Sequence, residues 1–117
     1  MVQFIGDGGF YFNNPASTYA VAKQYNLPIF TVVFDNGGWS AVKEATLRMY
    51  ASGEAFDTQQ FQARLAPDVQ FADMVRAAGG HGETVSEPQD VPAAVERCFA
   101  AARGGRAALL HVRVPQI

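Results

Sequence analysis

The segment that most constrains the fold is residues 29–34, which read IFTVVF. These residues are β-branched or aromatic, and they place apolar side chains on both faces of an extended strand. A strand that is apolar on both faces is typical of a parallel sheet covered by helices. The segment therefore predicts a buried strand in a layered α/β protein.

The rest of the chain alternates between short apolar runs and helical patterns. Strands are predicted at 2–5, 29–34, 81–85 and 108–114, and helices from Pro15 to about Lys23, at 40–50, at 71–78 and at 86–104. Residues 51–67 are expected to form an irregular loop, Asn14 to cap the first helix, and Gly79 and Gly80 to end the third. This order predicts an α/β fold with a mainly parallel sheet and right-handed crossovers, in one domain that spans 1–117.

Two glycine-rich turns, 6–9 and 35–38, each follow a predicted strand. Ligands of open α/β sheets bind outside the carboxyl ends of strands, so both turns are expected at one edge of the sheet. In the first turn, glycine N–H groups can approach a phosphate closely, but the carboxylate of Asp7 would repel it. A hard cation between the two groups removes this conflict, so the turn predicts a diphosphate bridged by Mg²⁺.

The second turn offers two further oxygen ligands without adding charge. Asn36 has a neutral amide oxygen, and glycine at positions 37 and 38 permits a backbone in which the carbonyl of Gly38 faces the metal. With the Asp7 carboxylate, two phosphate oxygens and a water, these groups complete the octahedron that Mg²⁺ prefers. Either turn alone is more often an ordinary reverse turn, whereas the pair indicates a metal–diphosphate site.

Gly6-Asp7-Gly8, followed by 26 residues and then Asp35-Asn36, resembles a known cofactor motif. It is similar to the thiamine diphosphate (ThDP)-binding motif of the superfamily that includes acetolactate synthase, benzoylformate decarboxylase and pyruvate decarboxylase. The segments 22–29 (AKQYNLPI) and 78–82 (AGGHG), with the last helix and strand, extend the resemblance over almost the whole chain. It is closest to the acetolactate synthase-like members, and it implies a diphosphate-binding (PP-type) domain that is expected to be incomplete here.

The resemblance implies that Asp7, Asn36 and the Gly38 carbonyl bind Mg²⁺. The cofactor-binding residues that it implies are Gly6, Asp7, Gly8, Gly9, Asn36, Gly38, Trp39 and Ser40, and it implies no catalytic residue in this chain. Gly9 stands where many relatives have serine, which removes one hydroxyl contact, and Asp35 stands where many have asparagine. Asp35 is not expected to bind the metal.

The resemblance also implies a function, which is to hold ThDP for a 2-oxo acid decarboxylase or carboligase. In that family the glutamate that activates the aminopyrimidine belongs to a separate domain, usually of a neighbouring subunit. The apolar residue that bends the cofactor lies upstream of the Gly-Asp-Gly turn. The isolated chain is therefore expected to be inactive, and its expected partner is a pyrimidine-binding domain or subunit within a homo- or hetero-oligomer.

Composition narrows the remaining function classes. The net charge is −2 and the basic residues are scattered, which argues against nucleic acid as a partner. No apolar run is long enough to span a membrane, and the N-terminus lacks the pattern of a secretory signal. The single cysteine, Cys98, cannot form an intrachain disulfide and fits a reducing compartment, so a cytoplasmic location is expected.

Two alternatives stay open at this stage. The first is a non-catalytic interaction module, or one subunit of a split ThDP enzyme, that uses an exposed sheet edge for assembly. The second is a dinucleotide-binding domain, although Tyr11 stands where the third glycine of that fingerprint would fall. Among single residues, His81 is predicted to lie in a loop, His111 and Cys98 to be structural, and Trp39 to contact either the cofactor or the core.

Overall fold

The computed structural model describes residues 1–116 as an α/β fold in which one sheet lies between helices. The strands are β1 (Val2–Gly6), β2 (Phe30–Asp35), β3 (His81–Val85) and β4 (Ala108–Arg113). The helices are α1 (Asp7–Phe12), α2 (Pro15–Gln24), α3 (Ser40–Met49), α4 (Glu54–Thr58), α5 (Phe71–Ala77) and α6 (Val91–Arg103). The predicted fold class is confirmed. Within the described part of the chain, no helix has the length and apolar character needed to cross a membrane.

The four strands are all parallel and lie in the order β1-β2-β4-β3. Gly6 at the end of β1 is in register with Phe34 of β2, and Asp35 at the end of β2 is in register with Arg113 of β4. Because parallel strands run in one direction, the segments that follow β1 and β2 leave the sheet side by side at its carboxyl edge. The expectation that both glycine-rich segments lie at one edge is therefore confirmed.

Helices cover the sheet on both faces, and each face has its own apolar core. The core on the α6 side consists of Phe30, Val32, Val85, Ala94, Cys98, Ala101, Ala108 and Leu110. The core on the side of α1, α2 and α5 consists of Phe10, Tyr19, Val33, Phe71, Ala72, Val75 and Leu109. The first four residues of β2 are all buried, which confirms the prediction of a strand buried on both faces.

The segment 6–9 does not form the predicted glycine turn. β1 continues through Gly6, and α1 begins directly at Asp7. Glycine at position 8 allows this path, because a β-carbon there would collide with the indole ring of Trp39. Asn14 precedes α2 as predicted, but it has a left-handed backbone with φ 48° and its side chain forms no capping hydrogen bond.

The later elements differ from prediction mainly at their ends. The segment 51–67 contains the short helix α4 and is otherwise irregular. α6 begins at Val91 rather than at residue 86, because a 3-10 turn occupies Pro88–Asp90 and Pro92 stands in the first turn of α6, where no N–H is needed. Gly79 ends α5 as predicted, with φ 83°, and the Gly80 N–H donates to the Val75 carbonyl at 2.9 Å.

Candidate metal centre

The two halves of the predicted site meet at the carboxyl edge of the sheet. Asp7 is the first residue of α1 and follows β1 directly, whereas Asn36 and Gly38 follow β2 directly. Since β1 and β2 are neighbours in the sheet, these short connections place the three predicted metal ligands in one cluster. Sheet topology, and not a contact between remote loops, therefore builds the site.

Asp7 is a buried carboxylate with one unsatisfied oxygen. The residue is 2% exposed, and its Oδ1 accepts a hydrogen bond from the Gly8 N–H at 2.8 Å. Its Oδ2 is buried and has no hydrogen-bond partner among the described residues. Burial raises the pKa of Asp7 above its usual value, the Gly8 N–H opposes the shift, and the neighbouring Asp35 carboxyl adds to it. An unpaired buried charge is unfavourable by itself, so a cation at this oxygen would relieve a real cost.

The amide of Asn36 brings a second oxygen to the same place. Rotating this amide by 180° would let its nitrogen donate to the Gly38 carbonyl at 2.8 Å and to Asp7 Oδ1 at 3.2 Å. In the structure the amide oxygen holds that position, and the amide nitrogen instead donates to Ser40 Oγ at 3.3 Å. The amide can therefore take two orientations. One donates its N–H groups to the Gly38 carbonyl and Asp7 Oδ1, whereas the other turns its oxygen, which also accepts the Gly38 N–H at 3.3 Å, to the place where a cation would bind all three oxygens.

This donor set fits a small hard cation. Mg²⁺ takes oxygen ligands in an octahedron and commonly combines one or two protein carboxylates with phosphate oxygens. The cluster offers one carboxylate from Asp7, one amide oxygen from Asn36 and one carbonyl from Gly38. It offers no imidazole or thiolate, the donors that Zn²⁺ and Cu⁺ favour. By the chemistry of its donors, the cluster therefore suits Mg²⁺.

The segment that carries Asn36 and Gly38 is fixed by backbone contacts. The Trp39 N–H donates to the Ala63 carbonyl at 2.7 Å, and the Leu65 N–H donates to the Gly37 carbonyl at 2.9 Å. Gly37 has φ 83°, a backbone that favours glycine. A β-carbon on Gly38 would collide with the Ala63 carbonyl. Both glycines are thus required by the path of the chain, and the loop is held against segment 63–65.

The other predicted cofactor-binding residues surround this cluster. Gly8 is buried under the indole of Trp39, and its N–H is directed at Asp7. Gly9 is exposed in the first turn of α1, and Ser40 is the first residue of α3. Gly6 is exposed at the end of β1. Trp39 anchors the loop through its backbone N–H, and its ring covers Gly8 in the first turn of α1, while its contact with a cofactor stays a prediction.

His111 is a neighbour of the site that the sequence did not reveal as such. It is fully buried, and its Nε2 lies 2.7 Å from Asp35 Oδ2. The other oxygen, Asp35 Oδ1, accepts the Gly37 N–H at 3.0 Å. Burial alone would raise the pKa of Asp35, but the hydrogen bonds from His111 and Gly37 outweigh it and hold that pKa below its usual value. The only sequence signal was a histidine in an otherwise apolar strand.

A second group of metal-binding residue types lies between β3 and α6. The ligand atoms of His81, Glu83 and Cys98 lie within 4.8 Å of one another. Arg97 donates to both oxygens of Glu83, at 2.9 Å and 2.6 Å, and His81 Nε2 lies 2.6 Å from Glu83 Oε1, so the carboxylate is already paired with the Arg97 guanidinium. Burial raises the pKa of the Cys98 thiol to about 11, which keeps it protonated at neutral pH. We interpret this group as an ion pair.

Two single-residue predictions concern this group. His81 is predicted both to belong to the strand 81–85 and to lie in a loop. The strand prediction is confirmed and the loop prediction is wrong, because His81 is the first residue of β3. A short strand after the Gly79-Gly80 helix end includes the histidine, since its N–H pairs with the Ala107 carbonyl at 2.9 Å. The prediction of a core thiol at Cys98 is confirmed, because the residue is fully buried in the α6 core.

Known proteins share this sequence pattern. Residues 1–112 match the family described as thiamine pyrophosphate enzyme, C-terminal TPP binding domain. The chain is 32% identical over 100 residues to a probable acetolactate synthase of Mycobacterium bovis, and equally to the acetolactate synthase large subunit IlvG of Mycobacterium tuberculosis. Each alignment covers 86% of this chain but only 17% of the relative, so the chain spans a small part of the length of these curated relatives.

Proposed function

Because the chain belongs to the thiamine pyrophosphate enzyme family, as a C-terminal TPP-binding domain, we propose that it holds the diphosphate of ThDP through Mg²⁺. Asp7, Asn36 and the carbonyl of Gly38 would be the protein ligands of the metal. One observation carries this proposal: the Asn36 side-chain amide lies within hydrogen-bond distance of Gly38 O and Asp7 Oδ1, beside a buried Asp7 oxygen that has no hydrogen-bond partner among residues 1–116.

The charge of the cluster supports a diphosphate as the further ligand. Each additional carboxylate beside a diphosphate would repel it. A metal site with one carboxylate and two neutral oxygens is therefore suited to a diphosphate as the further ligand. Asp35 is a second carboxyl group close to Asp7, but both of its oxygens accept protein hydrogen bonds. The carboxylate oxygen left without a hydrogen-bond partner among residues 1–116 therefore belongs to Asp7 and not to Asp35.

Two helix starts support the placement of phosphate oxygens. The first N–H groups of a helix have no partner within the helix and favour anions. Gly9 and Ser40 stand in the first turns of α1 and α3, beside the cluster. The N–H of Gly8 is directed at Asp7, and the N–H of Trp39 donates to Ala63. Diphosphate contacts from Gly9 and Ser40 are therefore the ones we favour, with Gly6 and Gly8 shaping the passage from β1 into α1 and Trp39 contributing its ring.

The proposed role of this chain is to bind and orient the cofactor. When bound, ThDP would supply the carbanion-stabilising chemistry on which reactions of this family depend. The residues of the cluster hold the diphosphate, and none of them is proposed to exchange a proton with substrate. Decarboxylation or carboligation of a 2-oxo acid, of the acetolactate synthase type, is proposed for an assembly in which this chain is one part. The isolated chain is proposed to be inactive.

An exposed apolar edge supports the need for a partner. Phe4 on the edge strand β1 is 68% exposed, and its ring stacks on Phe34 at 6.3 Å, which is itself 42% exposed. Apolar surface on a sheet edge commonly marks an interaction site. We propose that 1–117 is an incomplete unit and that a pyrimidine-binding domain or subunit completes the site in a cytoplasmic homo- or hetero-oligomer. The same edge would also serve a non-catalytic interaction module, which is the second candidate function.

Calorimetric titration with ThDP, in the presence of Mg²⁺ and again in EDTA, tests the proposal. The titration is run on the chain alone and with a pyrimidine-binding domain supplied as a separate chain. We expect binding that depends on Mg²⁺ in at least the second arrangement. Absence of Mg²⁺-dependent binding in both arrangements would contradict the cofactor role, and association with the added domain under those conditions would favour the interaction module.

A further inference from the structure

A line of polar contacts crosses the sheet behind the 36–38 loop. Thr84 of β3 and His111 of β4 are register partners, and Thr84 Oγ1 lies 3.5 Å from His111 Nδ1. His111 Nε2 lies 2.7 Å from Asp35 Oδ2, and Asp35 Oδ1 accepts the Gly37 N–H at 3.0 Å. The line therefore runs across β3, β4 and β2 and ends on the backbone of the loop that carries Asn36.

The orientation of the His111 ring is fixed from two sides. Phe71 packs against it edge-to-face, with ring centroids 5.0 Å apart. The Thr84 hydroxyl can donate to Nδ1, which leaves the ring proton on Nε2, where it can be donated to Asp35. We assign this tautomer from the hydrogen-bond partners. The buried His111 ring therefore donates its Nε2–H to one carboxylate, that of Asp35.

The consequence for the cluster concerns Asp35, which directly precedes Asn36. Without partners, this carboxylate would be free to turn towards a cation and act as a second carboxylate ligand. In the structure its two oxygens accept one hydrogen bond from His111 and one from Gly37. Partners of this kind, one step removed from a metal, orient its ligands and tune its charge.

We propose that His111 is a positioning residue for the cation: by holding Asp35 Oδ2 it fixes the 36–38 loop and leaves Asp7 as the single carboxylate that faces the metal. This inference rests on the proposed function, because it assumes that the cluster binds Mg²⁺ with ThDP. It adds a residue from the last strand to a site whose other members all follow β1 and β2.

Three variants test the role of His111. His111→Leu removes the donor and keeps an apolar side chain in the core, and His111→Gln keeps an N–H that can reach Asp35. Cys98→Ala is the matched control, because Cys98 is equally buried but packs on the opposite face of the sheet. Each variant is titrated with MgCl₂ at saturating ThDP by calorimetry. The titration uses whichever arrangement, the chain alone or the chain with the pyrimidine-binding domain, allows the wild type to bind. Urea unfolding checks that each variant is folded.

We expect His111→Leu to weaken Mg²⁺ binding by about tenfold or more, the usual effect of losing a partner that orients a metal ligand. His111→Gln should bind close to wild type, and Cys98→Ala should bind as wild type although it is less stable. The inference is overturned if His111→Leu binds as tightly as wild type, if His111→Gln is as weak as His111→Leu, or if Cys98→Ala is equally weak. Absence of Mg²⁺-dependent binding by the wild type would instead refute the proposed function, and this inference with it.

Discussion

The indole of Trp39 packs directly on the backbone of Gly8, so closely that a β-carbon at position 8 would collide with the ring. Gly8 belongs to α1, which follows the first strand, and Trp39 follows the loop that carries Asn36 and Gly38. The two halves of the site are therefore in contact through apolar packing as well as through their polar groups. A change in the shape of one half is expected to displace the other.

Gly8→Ala tests this contact, with Gly9→Ala as the matched control in the same helical turn. A β-carbon at position 9 would meet Cγ1 and Cδ1 of the Ile5 side chain, at 3.3 Å and 3.4 Å, a contact that a shift of a few tenths of an ångström relieves. We expect Gly8→Ala to lower the free energy of unfolding by about 1–3 kcal/mol, the usual cost of overpacking. Gly9→Ala should stay near neutral, since alanine favours a helix. Urea unfolding measures both, and equal stability of the two variants would contradict the account.

Asn36→Asp tests whether the neutrality of the amide matters. The substitution keeps an oxygen ligand but adds a negative charge beside the place of the diphosphate. We expect Mg²⁺-dependent ThDP binding to weaken by about tenfold, because a repulsion of about 1.4 kcal/mol has that effect. Asn26→Asp, at an exposed position before β2 and away from the carboxyl edge of the sheet, is the control and should bind as wild type. Calorimetry would contradict the argument if Asn36→Asp bound ThDP and Mg²⁺ more tightly than wild type.

Asp7 is expected to cost stability when no cation is present. Its pKa is raised by burial, so the folded chain holds the proton of Asp7 more tightly than the unfolded chain does. The ionised carboxylate is therefore destabilising once the pH rises above the usual value for Asp of 3.8. In EDTA at neutral pH, Asp7→Asn should raise the free energy of unfolding by about 1 kcal/mol, because an amide can donate to the neighbouring oxygens.

The raised pKa of Asp7 also determines how the extra stability of Asp7→Asn depends on pH. As the pH falls below the usual range of Asp, the wild-type carboxyl takes up a proton and the difference from Asp7→Asn should disappear. Urea unfolding at a series of pH values, in EDTA, measures the difference directly. A metal-free Asp7→Asn chain that is less stable than wild type at neutral pH would mean that the buried carboxylate has a partner we have not identified.

Glu83 should show the opposite pH dependence. The hydrogen bonds from Arg97, and to a smaller extent His81, hold the pKa of Glu83 below its usual value of 4.5 against the effect of burial. Ionised Glu83 therefore stabilises the fold at neutral pH, and this contribution is lost as the pH falls through the lowered pKa. Glu83→Gln should cost no more than about 1 kcal/mol at pH 7, since Arg97 is exposed. The exposed neighbour Glu87→Gln is the control, and a Glu83→Gln deficit that persists unchanged into acid would contradict the assignment.

Much of the fold was predictable because the residues of each segment suit the place that the segment takes in the folded chain. The apolar segment 29–34 predicted a strand buried on both faces, and the structure has β2 there with its first four residues buried. Gly79 marked a helix end because a left-handed backbone favours glycine. The proximity of Asp7 to Asn36 was also predictable, because both residues follow parallel strands and the carboxyl ends of such strands lie at one edge of the sheet.

The start of α1 and the pairing of His111 with Asp35 depend on contacts between distant residues, which the spacing of residues in the sequence does not predict. The start of α1 at Asp7 depends on the packing of Gly8 under Trp39, a residue far along the chain. The pairing of His111 with Asp35 depends on the strand order, in which β4 lies next to β2 although β3 comes between them in the sequence. A buried histidine in an apolar strand could have raised the question, but only the sheet order identifies its partner.

We propose that Asp7 holds the cation through which the diphosphate binds. Calorimetric titration of wild type, Asp7→Asn and Asp57→Asn with ThDP and MgCl₂, with the pyrimidine-binding domain present, tests this role of Asp7. Asp57 is an exposed acidic residue of α4 and serves as the charge-matched control. We predict that wild type and Asp57→Asn bind ThDP only with Mg²⁺, and that Asp7→Asn shows no Mg²⁺-dependent binding while remaining folded. Wild-type affinity in a folded Asp7→Asn chain would contradict the claim.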